Sequence, residues 1–350
     1  YFTDDAGTDH DLTAGGGGTF GGSLSSGKLA IGTGTDTIGN FVDALTENDS
    51  IYIGANPAST TNTAQNNTAL GISALNDITT GDNNVAIGIQ AGQKTTTQER
   101  NTIMGVSALR YASGSASYNV AIGYATMGAS DQEGSQNTAV GYYALSGATG
   151  ANAVTAVGHL AARDLTTGDS HVAIGKSAML KVTTTSYNTV VGVDALSDVD
   201  GAGSTTAVGF GAMKYSSADN ATGIGQYALS GATGDKNAAL GNSAGAVAKG
   251  SANSVMVGYQ AGFYPTGNYN TWMGWKAGYG VEDGAAQLNV GIGREALLGV
   301  SSGYSNTAIG YQTSYTMSTG AGNTHIGNQA GFSGSTHNNT TFIGNAAGLK

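Results

Sequence analysis

Several short stretches of this chain carry residue types and spacings that could do chemistry. Gly223-Ile224-Gly225-Gln226-Tyr227-Ala228 and Gly291-Ile292-Gly293-Arg294-Glu295-Ala296 fit the pattern G-x-G-x-x-A. In that pattern the glycines bring a strand-to-helix turn close to the pyrophosphate of a dinucleotide. Gly175-Lys176-Ser177 ends like a phosphate-binding loop, but Ser170 stands where that loop requires its first glycine. Asp194, Asp198 and Asp200 precede Gly201 and would suit Ca²⁺ in an irregular turn, although the twelve-residue loop pattern is absent. The five histidines, His10, His159, His171, His325 and His337, show no metal-ligand spacing. Phe263, Tyr264, Tyr269, Trp272, Trp275 and Tyr279 crowd into one short stretch and include both tryptophans of the chain. Aromatic faces suit sugar rings and tryptophan is enriched in binding hot spots, so Tyr264, Tyr269, Trp272, Trp275 and Tyr279 are the candidate receptor or glycan contacts. The competing reading is that these rings fill gaps in packing.

Bulk composition narrows the possibilities. There is no cysteine, hence no disulfide framework, thiolate metal site or cysteine nucleophile. The net charge is −10 with no basic run, which argues against binding nucleic acid through its phosphates. No apolar run approaches the ~18 residues of a membrane span. No nucleophile with a paired acid and base is visible, so neither an enzyme nor a cofactor or metal site is expected. Glycine accounts for 58 of 350 residues, yet charged residues are only 10% and proline only 2. With threonine, valine and isoleucine abundant, the glycines read as spaced turn devices in a folded chain. The first residue is Tyr1 rather than Met, and the expectation is a processed chain or part of a longer one.

The elements that would position these residues are set by a repeat. A glycine preceded by an aliphatic residue recurs from Gly54, Gly71, Gly88 and Gly105 through to Gly327 and Gly344, 18 times in all. Eleven of the 17 intervals are 17 residues long, and the others are 16, 18 or 19. The residue before this glycine is Ile, Val, Leu or Met in every unit. Three before it stands Thr or Val in 16 of the last 17 units, and four before it Asn in 11 of them. Two before it is usually a small residue, most often alanine, and three after it alanine again in 15 of 17.

A phrase such as Asn137-Thr138-Ala139-Val140-Gly141 alternates a larger residue with a small one, the period-2 mark of a strand. The expectation is that Thr/Val and Ile/Val face the interior of the coil, that alanine faces outward, and that glycine bends the chain at the strand end. A second short apolar segment, x-x-Ala-Leu or x-x-Ala-Gly, follows. A polar turn then absorbs the variation in length. The result is an all-β solenoid, a stack of two-strand coils of about 17 residues, too short for a helical repeat. The dinucleotide-like phrases then dissolve, because their second glycine and their alanine are repeat positions. So thin a coil carries few inward side chains, and the outward alanine column offers a surface for neighbouring rods. A parallel homotrimer is therefore expected. Trp272 replaces that alanine, which suggests a local widening of the packed face.

Asn137-Thr138-Ala139-Val140-Gly141-Tyr142-Tyr143-Ala144-Leu145 and Asn306-Thr307-Ala308-Ile309-Gly310-Tyr311 resemble the head repeats of YadA-like trimeric autotransporter adhesins. They look still more like the related repeats of bacteriophage tail fibres and other fibrous virion proteins. The resemblance spans about residues 51–350. It implies a left-handed parallel β-roll, three chains side by side, and a role in attachment. Adhesin heads have shorter units of about fourteen residues, and neither a coiled-coil stalk nor an anchoring β-barrel is present in this sequence. The expected function is thus a structural fibre of a phage virion, a tail or side fibre presenting a trimeric rod for host attachment, located in the virion. A bacterial cell-surface adhesin head or surface filament subunit is the alternative.

Residues 1–50 do not follow the period. They hold Asp4, Asp5, Asp9, Asp11 and the run Gly15 to Gly18, and read as a cap or junction joining other virion components. Residues 51–350 form the repeat shaft. Its other expected partners are copies of itself and a host surface glycan or protein, with no nucleic acid and no membrane insertion.

Overall fold

A computed structural model describes residues 48–54, 63–128, 131–264 and 267–349, together with the backbone of four short strands nearer the N-terminus. Those four are β1 (Phe2–Thr3), β2 (Asp9–His10), β3 (Lys28–Leu29) and β4 (Val42–Glu47). The rest of the region assigned from sequence as a cap or junction lies outside the described residues. From β5 (Ser50–Ile53) to β22 (Thr341–Ile343), each repeat contributes one strand, giving 18 parallel strands among the described residues and no helix. The fold is an all-β solenoid of about 17-residue coils.

The register is strict. Thr138, Ala139 and Val140 pair with Thr155, Ala156 and Val157, which pair in turn with Val172, Ala173 and Ile174. Each coil therefore sits on the one before it, and insertions of one or two residues fall in the turns. β22 pairs only with β21 (Thr324–Ile326), while β4 lies antiparallel against the outer edge of β5, with β3 beyond it. The ladder is an open stack with distinct ends and does not close into a barrel. At ~4.8 Å per parallel strand, its 17 steps extend on the order of 80 Å.

The two faces of each strand are the reverse of the sequence expectation. Ala69, Ala86, Ala139, Ala156 and Ala173 lie inside and are at most 1% exposed. The flanking residues point out, with Leu70 47%, Met104 43% and Leu240 51% exposed. The reason is the thinness of the coil. Across the interior from the strand stand the alanine three residues after the repeat glycine and the residue after that, such as Ala144 and Leu145 or Ala178 and Met179, all fully buried. That opposite wall fills the space, and only a methyl group fits between the walls. The larger aliphatic residues are left on the outer surface.

The opposite wall is not a regular second strand. In each coil several residues adopt left-handed backbone angles: around Gly141 (φ 139) they are Gln136 (φ 61), Tyr143 (φ 51) and Leu145 (φ 51), and the same pattern recurs in other coils. A left-handed non-glycine residue costs roughly 1–2 kcal/mol. Coil-to-coil hydrogen bonds hold these residues in place, as in Leu145 N to Ala161 O at 2.9 Å and Tyr143 N to Tyr124 O at 3.0 Å.

Two columns lock the stack. At the corner entering each strand, Asn84, Asn101, Asn119, Asn137, Asn289 and Asn306 are buried. Each side-chain oxygen accepts from the backbone N–H of the next coil, for example Asn101 N to Asn84 Oδ1 at 3.0 Å and Asn306 N to Asn289 Oδ1 at 3.0 Å. The amide nitrogen donates back to the turn, as in Asn84 Nδ2 to Gln98 O at 2.9 Å. Backbone groups stranded at a buried corner are thereby satisfied. At the strand exit the repeat glycines stack backbone on backbone. Gly175 has φ +132, and a Cβ there would stand 2.5 Å from the Gly192 carbonyl oxygen.

This comparison is testable. Gly175→Ala should lower stability by several kcal/mol, on the order of the strain and overpacking terms together. Gly250→Ala, where a Cβ meets nothing within 4 Å, should cost only its backbone strain. Chemical denaturation of the two variants side by side measures the difference, and equal losses would contradict the stacked-backbone account.

Candidate functional site

The phosphate-like phrases fold as ordinary coils. Thr222–Ile224 and Val290–Ile292 are strands followed by turns. Gly223 faces the interior, where a Cβ would lie 2.9 Å from Met213 Cγ, and Gly291 faces Trp272. Gly175 has its backbone against Gly192, so the Gly175-Lys176-Ser177 phrase forms no phosphate cradle.

The carboxylates before Gly201 are engaged by cations and backbone. Lys214 Nζ lies 3.9 Å from Asp194 and 3.6 Å from Asp198, and Lys181 lies 3.2 Å from Asp198. Asp200 accepts from Thr183 N at 3.0 Å and from its hydroxyl at 2.8 Å. Among the described residues no group of three or more His, Asp or Glu side chains is arranged to hold a metal ion.

Two histidines belong to the interior. His171 takes the corner position of asparagine. Its Nδ1 accepts from Asn188 N at 3.1 Å, so Nε2 carries the proton and donates to Thr185 O at 2.7 Å. Burial lowers its pKa, opposed by the Thr185 carbonyl and by nearby Asp169. His325 takes the alanine position. It contacts Ser314 Oγ at 2.7 Å and Thr340 Oγ1 at 2.9 Å. The Thr340 hydroxyl donates to Asn323, which makes it the acceptor for His325 Nε2. Burial, reinforced by His337, pushes the His325 pKa from 6.5 down to about 4. The His325 and His337 rings lie 5.8 Å apart, and Phe342 stacks on His325 at 4.7 Å. His325 and His337 hold different places in the unit, and a turn residue of one coil here reaches the interior residue of its neighbour.

The aromatic cluster divides into three. Trp272 is fully buried inside the coil, so the predicted widening of an outer face is wrong. It is accommodated by glycines where other coils have Leu or Met. A Cβ on Gly262 would stand 2.6 Å from its ring, and Gly278 and Gly291 also abut it. The same exchange recurs at Met256 beside Gly245, His325 beside Gly331 and Phe342 beside Gly348. The x-x-Ala-Leu and x-x-Ala-Gly variants in the sequence thus record the size of the residue across the interior. On the surface, Phe263 and Tyr279 stack at 5.3 Å with Tyr264 edge-on to both. Tyr269, 58% exposed, occupies a left-handed corner (φ 61).

Trp275 stands in the column just after the repeat glycine, 38% exposed. Tyr259 stacks on it from the coil before, centroids 6.2 Å apart and planes 12° from parallel. Arg294, from the coil after, lies over its ring at 4.9 Å and over Tyr311 at 5.6 Å. Lys276 sits 4.7 Å from the Trp275 ring and 5.3 Å from Tyr279, linking the two surface clusters. Sequence reasoning missed Arg294 and Lys276; the signal was their place one coil on from, or next to, an aromatic residue in this column. A similar stack joins Tyr124, Tyr142 and His159, at 5.5 and 5.2 Å.

No protein-family model matches the chain, and no curated protein is similar to it.

Two expectations follow. Both buried histidines have folded-state pKa values below the ordinary 6.5, so the unfolded chain binds more protons between those values. Their contribution to stability is complete above pH about 6.5 and is lost as pH falls below it, for His325 toward about 4. Thermal midpoints should therefore drop across that window, and less so in His325→Gln; a flat profile would refute this. Second, Trp272→Ala should destabilise by about 3–5 kcal/mol and Gly278→Leu by overpacking. The double variant rebuilds the usual Ala–Leu pair and should melt above either single one.

Proposed function

We propose that this chain is the shaft of a structural attachment fibre, a rod that works by associating with parallel copies of itself, three to a bundle. The observation that carries this reading is the outer face of the strands. Every coil places an aliphatic residue outward immediately before its glycine, from Ile53 to Ile343. The column three before the glycine adds Val85 and Val255, both exposed. A run of exposed apolar residues along the whole shaft is far larger than the scattered patches of a typical monomer. Covering each half-exposed side chain contributes on the order of 1 kcal/mol. Summed over the column, seven of whose eighteen residues are exposed and eleven part-buried, this burial is comparable with an association cost of roughly 4–15 kcal/mol.

The best occupant of this face is a second copy in parallel. Coils differ in turn length, and only a parallel, in-register neighbour keeps equal coils at equal heights. The resemblance to phage fibre and adhesin-head repeats supports three chains. It also supports a virion location, with residues 1–50 joining the shaft to other virion components. The sequestration of nearly every chemistry-bearing residue in packing favours a mechanical role over catalysis. The adhesin-head reading shares the same face and differs in where the rod is anchored.

Light scattering on the intact protein should give three times the 34.7 kDa chain mass. Leu70→Asp, Met104→Asp and Leu240→Asp together should reduce it toward one chain while leaving the β-rich spectrum in place. A single-chain mass for the unaltered protein would sink the bundle. Immunogold labelling of phage particles, against labelling of bacterial envelopes, separates the two locations.

A further inference from the structure

We propose that the ring-and-cation cluster centred on Trp275 is a binding site for an anionic polysaccharide. Lys276 and Arg294 converge on the one indole from the same and the following coil, at 4.7 and 4.9 Å from its centroid. Among the described residues, no carboxylate lies within 4 Å of Lys276, and Arg294 has only a 3.9 Å approach to Glu295. Lys94, Arg100 and Arg163 are closely paired, with Asp77 at 2.7 Å, Glu99 at 2.8 Å and Asp164 at 2.6 Å. Other cations among the described residues stand unpaired, but Trp275 is the ring over which two of them meet. Two poorly compensated positive charges on one exposed ring, in a chain of net charge −10, are a local feature that an anion would complete. Screening over ~8 Å at physiological salt leaves this neighbourhood largely independent of the distant carboxylates.

Ring geometry selects the class of ligand. A neutral sugar stacks on an open aromatic face, but the faces of Trp275 meet Tyr259 and Arg294. Trp275 is still 38% exposed, and the two cationic donors beside it favour negative charge. Arg294 also reaches Tyr311, and Lys276 reaches Tyr279, so the cations span successive coils along the shaft. A saccharide chain bearing carboxylates or sulfates at regular intervals, lying along the rod, would place a charge at each. A nucleic acid would need a longer basic track than these two residues supply. This site goes beyond the bundle and does not depend on it.

Trp272 is buried and Trp275 exposed, so tryptophan emission reports on the site with an internal reference. The test adds polygalacturonate, dextran sulfate, neutral dextran or poly-glutamate to the full-length protein as it assembles, with light scattering on the same sample. At low salt the expected result is quenching of the exposed indole by at least one of the two charged polysaccharides, reversed by added salt. Whether polygalacturonate or dextran sulfate binds more tightly identifies carboxylate or sulfate as the preferred group. K276A together with R294A should weaken binding roughly tenfold or more, with the Trp272 emission unchanged as the check on folding. Equal binding by neutral dextran, equal binding by poly-glutamate, an unaffected double variant, or no quenching by either charged polysaccharide would each overturn the proposal. A single-chain mass accompanied by normal quenching would overturn the bundle and leave this site standing.

Discussion

The interior of each coil is one methyl group deep on the strand side, and the rest of the architecture depends on that thinness. It puts alanine inside at Ala139, Ala156 and Ala173 and forces Val140, Val157 and Ile174 outward. It also explains why the largest residue inside, Trp272, has glycines beside it at Gly262, Gly278 and Gly291. A thin interior cannot supply the burial of an ordinary core, where a large apolar side chain contributes about 1.5–3 kcal/mol. Stability comes instead from repetition along the axis.

The polar corner and the left-handed wall belong to the same economy of space. A buried corner strands backbone groups that water cannot reach, and most coils satisfy them with an asparagine side chain. His171, through Nδ1, and Ser254, through its hydroxyl toward Asn270 N, preserve the acceptor where they replace asparagine, whereas Val154 and Ala221 fill the corner without one. Left-handed residues such as Tyr143 and Leu145 are unfavourable in isolation. Each is held by its N–H to a neighbouring coil, Tyr143 to Tyr124 O and Leu145 to Ala161 O. Each coil is therefore stable only as a member of the stack, which is the nearest-neighbour behaviour of solenoids.

The period, the strand phrase, the bending glycine and the turns that absorb length differences were all legible in the residues. The direction of the strand faces was not. Period-2 alternation separates Thr138 and Val140 from Ala139 but does not say which set is inside. The usual rule that larger apolar residues are buried pointed the wrong way, because it assumes an interior wide enough to hold them. A better signal was present: the position before the glycine accepts Met, Leu, Ile and Val alike, whereas at the alanine position Ile103, Met256, Trp272, His325 and Phe342 each come with a glycine where other coils have Leu or Met. Tolerance of size marks a surface and compensation marks an interior. The aromatic cluster was visible as a concentration of rings, but its division into Trp272 inside and Trp275 outside follows from the same face assignment. The pairing of His325 with His337 was hidden because it joins a turn to the neighbouring interior.

The strict strand register has a consequence for how such a shaft changes in size. Every coil presents the same backbone ladder above and below, residue paired with residue, while its turn is free to vary. Where coils also share the alanine interior, removing or duplicating one unit leaves both new neighbours with a matching surface and alters the shaft by one fixed step. The molecule is in effect a ruler whose graduations are its coils. Its reach is set by counting them, and each turn is a separately editable mark at a known distance from the end.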